Sequence, residues 1–141
     1  MNKTFWFLFL ALTTTAFGQN KEKEIFVKFI DQPILIDGDL SENIWEEAFE
    51  TADFQQYFPS DSVIAKQKTS IKMLYDQVNL YLGVKVFTSG NDFVIPSLQR
   101  DFRAGNNDNI SFIFDTFNDG TNAFLFGINP LGVRREALIS N

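Results

Sequence analysis

Apolar and polar positions alternate with a period of two over most of this chain, the pattern of strands with one face turned inward. In 69–75, Ile71, Met73 and Tyr75 alternate with Ser70, Lys72 and Leu74, and 80–87 returns after a short link at 76–79, which predicts an antiparallel hairpin. A second hairpin is written in 110–117, where Ile110, Phe112 and Phe114 alternate with Ser111, Ile113 and Asp115. It turns at 118–121, with Gly120 where a positive φ is wanted, and pairs back over 123–128. Pro130, Leu131 and Gly132 turn the chain again, and 133–139 starts a further strand. Earlier, 25–30 reads as the first strand, broken at 31–33 before a short strand at 34–36. A brief extended run at 54–58 is closed by Pro59, Ser60 and Asp61. About eight short strands at this spacing predict an all-β, antiparallel β-sandwich of jelly-roll-like kind, built as two layers.

One stretch departs from the period of two. After the turn pair Asp37 and Gly38, Asp39 stands three residues before Glu42, the spacing of a reciprocal helix cap. Leu40, Ile44, Trp45 and Ala48 then fall on one side and Ser41, Glu42, Glu46 and Glu47 on the other, predicting one short helix that presses an indole under a sheet. The strand signal also stops over 88–107, a connection of the length that tends to carry function.

Composition narrows the chemistry. The 141 residues carry a formal net charge of −6, and 17 of them are Phe, an aromatic excess that suits packed β layers. An acidic chain without basic clusters does not suit a phosphate backbone, so nucleic acid is not an expected partner. There is no His and no Cys, which excludes zinc sites, thiol or Ser-His catalysis and internal disulfides. Residues 1–18 read as a signal peptide, with Lys3, the apolar run 5–12, and Ala16, Phe17 and Gly18 at the cleavage site. Residues 19–24 form a polar linker, and 25–141 are the sandwich. A strand begun at 133 and stopped so soon predicts that the sandwich is C-terminally incomplete.

Four segments carry a family resemblance. Asp37-Gly38-Asp39-Leu40, with Glu42, Trp45 and Ala48 following, resembles the opening of the family 9 carbohydrate-binding modules. The runs 75–84, 108–115 and 124–129 resemble later strands of that family, in the same order. The resemblance implies a non-catalytic, carbohydrate-binding-like sandwich with Trp45 as a framework residue. At the places of the family's sugar-binding Trp, Glu and Arg this chain has Gly105, Ser111 and Gly127, and only Asn129 matches. Arg100 and Asp101, the segment 115–119 and the run Asn129-Pro130-Leu131-Gly132 further resemble a subset of Gram-negative proteins that continue into an outer-membrane β-barrel. That implies an exported chain in the periplasm or at the outer membrane, with a glycan and a downstream β-barrel of the same chain as partners.

Sugars are held by aromatic faces and planar polar side chains, sometimes with calcium ordering the loops. The resemblance implies Asn129 as a candidate carbohydrate-binding residue, and the polar cluster of the long loop adds Arg100 and Asp101. Tyr75 and Tyr81 alternate with apolar positions and are read as core or rim. Asp37 with Asp39, Asp108 with Asp115, and Asp115 with Asp119 are candidates for calcium, which needs six to eight oxygens, but the same residues serve plain turns. Nothing in their spacing selects a catalytic pair. No cofactor is required, and the metal remains open. Two functions follow: a non-catalytic glycan-binding module, accessory at most to polysaccharide breakdown, or a structural and interaction domain of a β-barrel protein that has lost sugar binding.

Overall fold

The computed structural model describes residues 24–140, so the leader at 1–18 and nearly all of the linker lie outside the described residues. Among the described residues the chain is all-β, as expected, with two sheets, two single 3-10 turns and no closed barrel. The residues divide into two compact units, one through Val86 and one from Phe87 onward, each with its own sheet.

In the first unit the strands are β1 (Lys28–Phe29), β2 (Glu50–Thr51), β3 (Lys68–Tyr75) and β4 (Leu80–Phe87). β3 organises the sheet. It pairs with β4 of the expected hairpin, antiparallel with β2 through Glu50 and Lys72, and with β1 through Lys28 and Leu74. The β1 pairing is parallel, which departs from the expected all-antiparallel layers. The first strand is also much shorter than 25–30, and 34–36 forms no strand.

The departure at 37–48 follows from local competition for backbone amides. The Asp37 carboxylate accepts the Asp39 N–H at 2.8 Å while Gly38 sits at φ 87°, so Asp39 closes a turn instead of capping a helix. Glu42 stays extended and makes no side-chain cap. What forms is one 3-10 turn, Asn43–Trp45, closed by Trp45 N–H on Glu42 O and Glu46 N–H on Asn43 O, both at 3.0 Å. The expected apolar side survives. Trp45, at 3% exposure, packs with Ile30, Ala48, Leu74 and Tyr81, bordered by Ile34, Leu40 and Ile44. Ser70 and Leu74 are the buried positions of β3, so its inward set is the one opposite Ile71, Met73 and Tyr75. Lys72 belongs to that inward set and donates from Nζ to the Trp45 carbonyl at 2.7 Å, giving the end of the turn a charged cap.

In the second unit β5 (Ile110–Phe114), β6 (Ala123–Ile128) and β7 (Arg134–Ile139) form an antiparallel meander. Phe112 faces Phe126, Phe114 faces Phe124, and Leu125 faces Ala137. Directly paired residues share a face, so Phe112, Phe114, Phe124 and Phe126 line one side, with the Phe112 and Phe114 ring centroids 6.3 Å apart and Phe114 and Phe126 6.2 Å apart. Leu125 and Gly127 are buried on the other.

Candidate functional site

The long connection 88–107 is ordered by its own polar residues and one apolar anchor, Phe102, which is buried. Asp108 grips Val94 twice, accepting its N–H on Oδ2 at 2.9 Å and donating its own N–H to the Val94 carbonyl at 2.8 Å. Asn107 Nδ2 donates to Arg103 O, and Asn109 Nδ2 donates to Ala104 O and Asn107 O, which folds the 3-10 turn Ala104–Asn106 against the start of β5. The side chains of 107–109 thus hold the loop together.

Arg100 and Asp101 dock this loop on β7. Asp101, at φ 60°, donates its N–H to Arg134 O at 3.0 Å and accepts the Glu136 N–H on Oδ1 at 2.8 Å. Arg100 Nη2 meets the Glu136 carboxylate at 2.7 Å. Two backbone groups on the outer edge of an edge strand are thereby satisfied by a loop, a common way of blunting such an edge.

Asn129 directly follows β6, at the start of the turn that leads into β7, and is only 4% exposed. Its Oδ1 accepts the N–H groups of Leu131 at 3.0 Å and Val133 at 2.9 Å, and its backbone N–H donates to Val133 O. Gly132, at φ 78°, completes the turn by donating to Asn129 O. The Asn129 Nδ2 is enclosed and has no hydrogen-bond partner among the described residues. All three candidates therefore converge on the beginning of β7, Asn129 through Val133 and the other two through Arg134 and Glu136.

The positions that differ from the family pattern also have structural settings. Gly105 sits in an open turn, and Ser111 donates from Oγ to Asn109 Oδ1 at 2.9 Å. Gly127 pairs with Ser111, and a Cβ there would stand 2.8 Å from Ser111 Oγ and 3.2 Å from Ile110 O. A larger side chain at 127 has no room while that neighbour stays in place.

The acidic pairs are engaged in turns. Asp115 accepts the N–H groups of Asp119 and Gly120. Asp119 accepts Asn122 Nδ2 and the N–H groups of Asn122 and Thr121, which holds its carboxyl far below the usual carboxylate range. Asp76 does the same for the 76–79 link. It accepts Tyr81 Oη–H at 2.7 Å and the N–H groups of Val78 and Asn79, and these bonds lower its pKa to about 2 while raising that of Tyr81. Among the described residues no three acidic side chains gather as a metal site. A shallow groove of about 450 Å³ runs between Phe117, Phe124, Leu138 and Ile139; of the polar side chains on its wall, Asp119 and Asn122 are bonded to each other, and Ser140 is the third.

Two aromatic residues stand outside all of this. Tyr57 and Phe58 occupy the tip of a tight loop and are 98% and 83% exposed. The run 54–58 read only as a brief strand, and nothing in its pattern showed that both rings would be left in water. No described helix is long and apolar enough to cross a membrane. No family model, curated protein or solved structure matches this chain.

Proposed function

We propose that this chain is a non-catalytic module of the carbohydrate-binding kind, part of an exported cell-envelope protein. The observation that carries the non-catalytic part is the use made of the acidic residues. Asp76, Asp101, Asp108, Asp115 and Asp119 each accept backbone N–H groups in turns or loop clamps. A general acid needs a carboxyl held protonated near neutral pH, whereas Asp76 and Asp119 are shifted the other way. The all-β fold in two sheets and the family resemblance of the four segments between 37 and 129 support the binding part of the reading.

A second reading has its own observation. Arg100, Asp101 and Asn129 serve the start of β7, which favours a structural or interaction domain, attached to an outer-membrane β-barrel, in which the ancestral sugar site has been lost. A glycan array, followed by assay of reducing sugar released from any polysaccharide retained, separates the readings. Retention without sugar release is expected of the binding module. Silence across the array from protein shown to be folded would favour the structural domain, and sugar release would make the chain an enzyme.

A further inference from the structure

The loop that carries Tyr57 and Phe58 is a small, braced hairpin. Gln55 bridges to Ile64, Gln56 N–H donates to Val63 O at 2.8 Å, and Ala65 N–H donates to Phe54 O at 2.7 Å. Across the tip, the hydroxyls of Ser60 and Ser62 bond each other at 2.8 Å. A support of this kind holds the backbone of the loop, so little backbone freedom is lost when something settles on it. Rings this exposed contribute almost nothing to the core, and leaving them in water forgoes the gain that burial would bring.

The surroundings select the kind of partner. Between Asp53 and Ala65 there is no Lys or Arg, while Asp61 lies in the tip, and the whole chain carries −6. Phosphate groups, whether of nucleic acid or of an anionic lipid surface, meet no cation within the loop itself, Lys66 lying just beyond its brace, and the net charge of −6 disfavours them. Two rings offer on the order of 150–250 Å² each, well below the roughly 800 Å² per partner of a stable protein interface. The area instead suits one or two sugar units, whose C–H faces cover an aromatic ring and whose hydroxyls hydrogen-bond planar polar groups. Gln55, Asp61 and Ser62, exposed in the same loop, supply such groups.

We propose that Tyr57 and Phe58 form a glycan-stacking platform, with the polar side chains of 55–62 contacting hydroxyls. This rests on the binding-module reading for its ligand class and moves the site away from the start of β7. The test is co-sedimentation of the whole chain with insoluble cellulose, xylan and peptidoglycan, alongside neutral phosphatidylcholine vesicles. It compares wild type, the double variant Y57A/F58A and the conservative Y57F, each with its melting curve. Loss of apparent affinity by about tenfold or more in the double variant is expected from two buried rings, with an unchanged melt and retention of binding in Y57F. Equal retention of wild type and double variant on a polysaccharide would overturn the platform and leave the module reading standing. Retention of wild type on none of the polysaccharides would overturn both. Binding to the vesicles alone, lost in the double variant, would make the tip a lipid contact and overturn the glycan assignment.

Discussion

The indole of Trp45 lies directly on the backbone of Gly83. A Cβ at 83 would stand 2.8 Å from Trp45 Cζ3 and 3.1 Å from both Trp45 Cη2 and Leu40 Cδ2. Glycine is required here for lack of a side chain, not for an unusual φ, and it lets the largest core ring approach β4. Gly83→Ala should destabilise the protein by about 1–3 kcal/mol, since Trp45 is enclosed and cannot swing away. Chemical denaturation measures this, and Trp45→Phe in the same chain should recover part of the alanine penalty. Full additivity of the two substitutions would mean that the ring and the glycine are not in contact.

Asp76 gives the fold an acid dependence. Its pKa lies at about 2 against an ordinary 3.8, chiefly through Tyr81 Oη–H and then through the Val78 and Asn79 N–H groups. A carboxyl lowered on folding stabilises the folded state above its unfolded pKa, and that contribution fades as pH falls through the folded value. The stability gap between wild type and Asp76→Asn should therefore be full at pH 7 and shrink between about pH 4 and pH 2. Urea midpoints across that range measure it, and a gap that is constant with pH would contradict the assignment.

Asp101 blunts the outer edge of β7. Asp101→Ala removes the acceptor of the Glu136 N–H, at an expected cost of about 0.5–1.5 kcal/mol for one hydrogen bond at an exposed site. Amide exchange at Glu136 should accelerate, whereas exchange within β5 should change little. Undisturbed exchange at Glu136 would show that the loop does not cover this edge in solution.

Asn129→Ala leaves the Leu131 and Val133 N–H groups without their shared acceptor inside a part-buried turn. A loss of about 1–3 kcal/mol is expected, larger than at Asp101 because the position is closed to water. Asn129→Asp keeps the acceptor oxygen for both N–H groups and should be milder than alanine. Melting temperatures of the two variants decide the order.

The hairpins were legible because their information is local. Period-two alternation, the four-residue link at 76–79 and Gly120 after Asn118 and Asp119 fix β3 to β6 with few alternatives. The parallel pairing of β1 with β3 joins residues some 46 apart in sequence, Lys28 with Leu74, and no local pattern encodes it. At 37–48 the capping spacing was present, yet the Asx turn at Asp37 took the Asp39 amide first, so the apolar face was legible and the helix type was not. Asp101 shows the same limit. Polar residues beside turns have the composition of a binding site, but Asp101 meets its amide partner 35 positions away, at Glu136, which only the folded chain brings near.

In the proposed non-catalytic binding module, Arg100 and Asp101 build the sheet and do not hold a ligand. The most direct measurement is a glycan array on wild type and on Arg100→Ala/Asp101→Ala, read together with their melting curves. Retention of the same glycans by both proteins, with a lower melting temperature in the double variant, is the expected result. Loss of glycan binding at an unchanged melting temperature, or no glycan retained by folded wild type, would contradict it.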